Sequence, residues 1–433
     1  MVAATEVSAG RAWGVTALCA SFMSINYADK VIIGLAAVPI MEELKLSPSQ
    51  FGFLGSAFFL LYSLSAIGVG LLADRISTKW IIAAMSLVWA LTLLPMAFHV
   101  GFALLLVSRI ILGAAEGPSI AIANHCIFKW FPNARRSLPS SVVSIGSSVG
   151  VLFSAPALAW LIRTYDWHVA FAVLACVGIA WLPIWLIAAK EGPLAATAPA
   201  AAESKERNGA MTPSLLQLLT QRTFLGVLAC AYVSFSVLAL VVAWLPPFLI
   251  KSEHYSPQAA SWIVAAAWTI EAVAVVAVGW YSSTLASRGV SSRISRGWLT
   301  TGAVCLTGAA LAAMQFVPSG ILRVAMLVFA FSAAQTIWPL SFTLIAEIVP
   351  AFRRGAAVSI FTAIFTTAGL VSPALMGYAV QVGNASARDG YLVGFGILGV
   401  ATLVGGLIGF WLIDPEADRV RANGGALAPA TVS

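Results

Sequence analysis

Twelve apolar stretches of roughly 17–25 residues, joined by short polar connections, run through this 433-residue sequence. They fall near 12–38, 50–73, 80–98, 101–124, 138–161, 169–189, 223–250, 258–284, 297–317, 322–346, 355–380 and 390–413. Runs of that length cross a bilayer as helices, because a helix satisfies every backbone N–H and C=O without water. The fold class is therefore an all-α membrane protein. Composition agrees: 60% of residues are hydrophobic and 9% charged, against about a quarter charged in a soluble domain. The first run extends from about Trp13 to Ile40 and contains Asp29 and Lys30, so it reads as a retained span rather than a cleaved leader.

The connections carry the topology. With both termini cytoplasmic, seventeen of the 24 Lys and Arg residues fall in inside segments and five in outside loops, with Lys30 and Arg109 inside helices. That asymmetry predicts a multi-pass protein of the inner (plasma) membrane with cytoplasmic termini. It also accounts for the net charge of +7 without nucleic acid, since the basic residues are scattered between apolar runs.

Residues 191–212 interrupt the pattern with an Ala/Pro-rich and then charged stretch that cannot bury a core. The expected organisation is a six-helix bundle over 1–190, a cytoplasmic linker over 191–221, a second six-helix bundle over 222–416 and a disordered tail over 417–433. Leu215–Leu219 reads as a short helix lying on the inner surface. The halves echo each other: Phe131–Ser137 (FPNARRS) matches Val349–Gly355 (VPAFRRG) 218 residues later, and Pro156 repeats as Pro373 at a spacing of 217. Duplicated halves are the construction of a rocker-type transporter whose site lies at mid-membrane.

Five ionisable side chains lie well inside helices: Asp29, Lys30, Arg109, Glu116 and Glu271. Each would cost about 2.5–3.5 kcal/mol at a lipid-facing helix centre, so each must face a partner or a wet cavity. Asp29 lies about nine residues before the outer end of helix 1, and Arg109 about eight after the outer start of helix 4. At about 1.5 Å per residue the two are level, which predicts an Asp29–Arg109 ion pair. Glu116, seven residues beyond Arg109, shares its helix face about 10.5 Å away. Pro118 should kink that helix. Asn26 and Lys30 share a face of helix 1 at i,i+4. Glu271 could bind a proton or substrate, or be a neutral acid bonded to a neighbour. Gly146 and Gly150 on helix 5, with Ser147 and Ser154, form a small-residue face suited to close packing.

Enzyme chemistry finds no foothold. No nucleophile–base or metal-ligand spacing occurs, the five cysteines are isolated in apolar runs, and the four histidines are far apart in the chain. No cofactor or metal is expected.

The loop Gly70-Leu-Leu-Ala-Asp74-Arg75-Ile-Ser-Thr-Lys79 resembles the GxxxDRxGRR loop of the major facilitator superfamily, with Ser77 and Thr78 where Gly and Arg are usual. The matching loop after helix 8 keeps Gly279 but has Ser283 in place of the acid, which restricts a gating ion pair from that loop to the N-terminal half. Asn26-Tyr27-Ala28-Asp29, Arg109…Gly113-Ala-Ala-Glu116-Gly-Pro118, Lys129-Trp-Phe-Pro132 and Trp244-Leu-Pro-Pro-Phe-Leu249 resemble the anion:cation symporter family, which contains sugar-acid, glucarate and phthalate carriers and vesicular glutamate transporters.

The resemblance implies twelve helices in two pseudo-symmetric halves and a proton-coupled symporter of small organic anions, acting as a monomer. It implies proton coupling by Asp29 and Glu116, with Arg109 as ion-pair partner. Tyr62 and Lys30, with Asn26, Ser147 and Thr366, would bind substrate, and Gly70, Asp74, Arg75 and Lys79 would form the gating loop. Lys30 stands where galactonate-type members have Arg, which turns a forked grip on carboxylate into a point charge. Ser147 replaces a Gln and Thr366 an Asn; fewer amides favour a less polar carboxylate. The competing reading within the fold is a multidrug or neutral-sugar facilitator.

Overall fold

The structure, a computed structural model, describes residues 9–72, 75–132, 135–193, 215–350, 353–385 and 389–422. Among the described residues twelve long apolar helices follow one another: α1 (Ala9–Leu35), α2 (Pro48–Leu72), α3 (Thr78–Ala97), α4 (Phe102–Phe128), α5 (Ser137–Thr164), α6 (Trp167–Ala188), α7 (Arg222–Lys251), α8 (Pro257–Ser287), α9 (Arg293–Phe316), α10 (Ile321–Ile348), α11 (Arg354–Gly383) and α12 (Gly390–Leu412). At about 1.5 Å per residue, even the shortest spans the ~30 Å hydrocarbon layer. Large apolar side chains stay exposed along the bundle's flanks, among them Phe153, Trp280, Phe316 and Trp411. Such a surface belongs in lipid.

Two compact units are present. The first draws on Met1–Ala198, Ala239–Thr269 and Gly369–Tyr391, and the second on Pro199–Leu238, Ile270–Ala368 and Leu392–Ser433. The boundaries cut through α7, α8, α11 and the first turn of α12, because one end of each belongs with the N-terminal helices. In the first unit the Trp244 indole donates to the Pro373 carbonyl at 3.1 Å. The Ala374 amide donates to Ser56 Oγ at 3.0 Å. At this end a short helix, Ala37–Glu43, continues α1 after a break at Ala36. Its Glu42 pairs with Lys251 at 2.8 Å.

Gly146 and Gly150 do what their spacing predicts. A Cβ on either would stand 2.3 or 2.4 Å from the backbone carbonyl oxygens of Ala20 and Ser24 on α1. Ser24 Oγ donates to the Gly146 carbonyl at 2.7 Å across the same seam. The small residues therefore serve helix packing.

The ends of the chain segments depart from expectation. Residues 194–214 of the linker lie outside the described residues, and the expected short helix Leu215–Leu219 is formed. The tail expected to be disordered from 417 begins instead inside a helix, Pro415–Ala422. Asp414 caps it by accepting from the Ala417 amide at 3.1 Å, and Pro415 starts it. Asp418 then accepts from the Thr223 amide at 2.8 Å, and Arg293 pairs with Asp414 at 2.9 Å. Residues 423–433 of the tail lie outside the described residues.

Candidate functional site

The site is built on α1, α2 and α4, all in the first unit. Gly113 sets its dimensions: a Cβ there would fall 1.7 Å from the Phe58 carbonyl oxygen, and one on Gly117 would fall 2.1 Å from that of Tyr62. Only hydrogen fits at both places, so α4 lies directly on α2 and carries Glu116 up to Tyr62. Pro118 then breaks the helical ladder. The α-helix stops at Glu116 and resumes at Ser119, whose hydroxyl donates to the Glu116 carbonyl at 2.6 Å. The kink expected from Pro118 is there.

Four charges are sealed from solvent: Asp29, Lys30, Arg109 and Glu116 are each no more than 8% exposed. Lys30 Nζ donates to Asn26 Oδ1 at 2.6 Å and pairs with Glu116 Oε2 at 3.3 Å. Asn26 Nδ2 reaches Ser119 Oγ at 3.4 Å, which fixes the amide's orientation. The Lys30 ammonium lies 4.3 Å from the Tyr27 ring centre and 5.5 Å from that of Tyr62. A desolvated cation over such faces gains about 2 kcal/mol. Tyr27 in turn packs edge-on against Trp268, 5.2 Å between ring centres.

Asp29 and Arg109 are buried in the same unit, yet they make no ion pair within 4.0 Å among the described residues. The Arg109 guanidinium lies over the Phe58 ring at 4.7 Å. Among the described residues Asp29 Oδ1 and Arg109 Nε and Nη1 find no hydrogen-bond partner. The expected Asp29–Arg109 contact is thus replaced by Lys30–Glu116. Consecutive residues on a helix point about 100° apart, and counting residues along each helix does not contain that angle. Of Asp29 and Lys30, it is Lys30 that faces Glu116. A buried polar atom left without a partner costs about 1–3 kcal/mol.

Of the remaining expected site residues, Ser147, Thr366 and Glu271 lie on other elements. Ser147 is half-buried on α5, its hydroxyl bonded to the Ser144 carbonyl at 2.5 Å. Thr366 is buried in the second unit and bonds back to the Thr362 carbonyl at 2.8 Å. Glu271 is half-buried on α8, also in the second unit. Gly70 lies in α2, Arg75 is exposed, and Asp74 lies outside the described residues.

Beside Lys79 is a cluster that sequence reasoning missed. Glu191, read as linker, accepts from Ser77 Oγ at 2.6 Å, Thr78 Oγ1 at 2.9 Å and the Lys79 amide at 3.1 Å, and pairs with Lys129 at 2.8 Å. It caps α3 in place of a local side chain. Burial opposes ionisation of Glu191, but these donors outweigh it and hold the carboxyl down at about 2. Near the start of α9, Arg296 pairs with Glu347 on α10 at 2.9 Å. The histidines, far apart in the chain, are not all far apart in space: His99 and His168 have ring centres 4.8 Å apart. Ser119 and Glu191 could have been found only from the tertiary fold.

Long apolar helices with a charge cluster buried among α1, α2 and α4 are the build of a membrane transporter. The family model for the Major Facilitator Superfamily matches residues 18–334, and the chain belongs to that superfamily. Among curated proteins it is 26% identical to the hexuronate transporter of Bacillus subtilis (strain 168), over 89% of this chain and 93% of that one. It is 24% identical to the D-galactonate transporter of Escherichia coli O6:H1, over 82% and 86%. The probable galactarate/D-glucarate transporter GudP of Bacillus subtilis is also 24% identical, over 92% and 91%. These names are in keeping with the anion:cation symporter resemblance. Two solved structures share the fold: the D-xylose-proton symporter, with a TM-score of 0.76 at 16% identity over 94% and 99% of the two chains, and a bacterial homolog of the human lysosomal transporter Spinster, with 0.74 at 20% over 96% and 99%.

Proposed function

We propose that this transporter takes up a small organic anion of the carboxylate class together with protons, by alternating access, across the inner (plasma) membrane, with both termini cytoplasmic. The observation that carries this reading is Lys30: a buried ammonium at the α1–α2–α4 junction, held by Asn26, Glu116 and two tyrosine faces. The relatives named above are transporters of sugar acids, and an anionic solute is what such a cation attracts.

In this mechanism the anion enters near Lys30 and Tyr62 and competes with Glu116 for the ammonium. Glu116, losing its counter-ion in a dry setting, takes up a proton. Asp29 and Arg109 form a second acid–base couple, in which Asp29 accepts the other proton. Neutral acids and a charge-paired substrate cross an occluded state at lower cost than bare charges, and that ordering couples the two fluxes. Asp74 and Arg75, with the rest of the loop through Lys79, would steady one state and release in the other as two six-helix halves rock.

Thermal-shift screening against carboxylic acids, including hexuronates, galactarate and galactonate, selects the solute. Proteoliposome assays then separate the steps. Glu116→Gln should abolish proton-driven accumulation and leave solute exchange measurable. Accumulation at the wild-type level in Glu116→Gln would sink the coupling role. Transport of a neutral or cationic solute that is indifferent to Lys30→Ala would favour a multidrug or neutral-sugar facilitator instead.

A further inference from the structure

Away from the charge cluster, one end of the first unit gathers four polar aromatic and acidic groups from three separate segments. Glu43 ends the short helix after α1, His99 lies between α3 and α4, and Trp167 and His168 begin α6. Glu43 Oε2 accepts from the Trp167 indole at 2.7 Å. Its Oε1 faces His168 Nε2 at 3.1 Å and His99 Nε2 at 4.0 Å.

His168 makes the arrangement unusual. Its Nδ1 lies 2.8 Å from the Met96 carbonyl oxygen, which can only accept, so Nδ1 carries a hydrogen. Its Nε2 lone pair then faces the Glu43 carboxylate at 3.1 Å, a gap that either a proton or a metal cation can bridge. An Nδ1–H bonded to a backbone carbonyl is the outer support that metal-ligating histidines use to present Nε2, and the indole does the same for the carboxylate.

The spacing suits a metal. One donor atom from each of Glu43, His99 and His168 lies within 4.8 Å of the other two. Four-coordinate zinc, with bonds of about 2.0–2.1 Å, sets neighbouring donors roughly 3.3 Å apart. Glu43 and His168 already stand 3.1 Å apart, and the His99 side chain, 90% exposed, is free to swing in by the remaining distance. His168 itself is 6% exposed and packs against Trp167 with ring centres 3.7 Å apart and planes tilted by 31°, so the fixed half of the set is preorganised. Two imidazoles and one carboxylate, with a fourth position left to water, are a donor set for a borderline divalent cation.

We propose that Glu43, His99 and His168 form a binding site for a divalent cation of the Zn2+ class at this end of the protein, separate from the transport site.

The test uses full-length purified protein with its affinity tag removed and metal stripped by a chelator. Titration with Zn2+ is followed by calorimetry, and with Co2+ by its visible absorption, which is intense for four-coordinate ligand fields. One equivalent should bind, with four-coordinate Co2+ absorption that Zn2+ abolishes. His99→Ala, at an exposed position that leaves packing intact, should weaken binding by more than about tenfold. Glu43→Gln should do the same, and Trp167→Phe should weaken it with the ligands in place. Cys176→Ser, which removes the exposed thiol, should change nothing. The proposal is overturned if wild type binds no more tightly than His99→Ala, or if Cys176→Ser is the variant that loses the metal.

Discussion

Removing the Lys30 ammonium leaves the fully buried Glu116 carboxylate without its cation, and that imbalance gives a stability test of the pair. Losing one partner of a buried pair costs about 3–5 kcal/mol, while replacing both by neutral groups is often close to neutral. Lys30→Met should therefore lower the thermal midpoint in detergent sharply, and Lys30→Met with Glu116→Gln should recover most of the loss. Equal midpoints for the single and double variants would show that the two groups are not energetically linked. At this scale the sequence was informative about rows and poor about rotations. Asn26 and Lys30 lie four apart on one helix, and their hydrogen bond follows from helical geometry alone. The partner of Glu116 depends on how α1 is turned toward α4, and no spacing within either helix contains that angle.

Helix contacts offer two tests. Gly113→Ala puts a methyl group where the Phe58 carbonyl oxygen stands, and backbone cannot give way cheaply. Overpacking of this kind costs about 1–3 kcal/mol or more, and it also moves Glu116 away from Tyr62. The variant should lose both monodispersity on size exclusion and substrate-induced thermal shift, whereas Gly302→Ala, with open space around it, should match wild type. Glu191 makes the second prediction. Its carboxyl titrates at about 2 in the folded protein against an ordinary 4.5, so its anchoring of α3 is present in full above the ordinary value and is lost as pH falls toward 2. The gap in thermal midpoint between wild type and Glu191→Gln should hold steady from pH 8 to about 5 and narrow in more acid solution. A gap that widens on acidification would contradict the capping role. The helix spans themselves were legible because lipid admits so few alternatives: each observed helix covers the stretch expected of it to within a few residues. Glu191 was not, since an acid beside Gly and Pro looks like solvated linker until Lys129 and the start of α3 are brought to it by the fold.

For the whole molecule, alternating access requires the end that the charge count assigns to the outside to open and close. In the first unit that end is held by Trp244 on Pro373, Ala374 on Ser56 and Lys251 on Glu42. Cysteines at Glu42 and Lys251, with Cys176 replaced by Ser, should be joined by a short thiol-reactive linker, and the joined protein should bind substrate yet fail to accumulate it. Cleaving the linker should restore uptake. Undiminished uptake by the joined protein would mean that this end need not part. The duplicated halves and the superfamily could be read from sequence because motif spacing records the duplication. The packing of α7, α8 and α11 ends with the N-terminal helices could not, because no motif spacing says which helix ends meet.

Glu42 and Glu43 are joined by a single peptide bond, yet one reaches across to Lys251 and the other down to Trp167 and His168. Any parting line through this spot must pass between two consecutive carboxylates. Only the solvent-washed one has to let go, and such surface pairs hold by no more than about 1 kcal/mol. If the Glu42–Lys251 contact opens during transport, the Glu43 contacts would still moor the short helix, a hinge pin that never leaves the door frame.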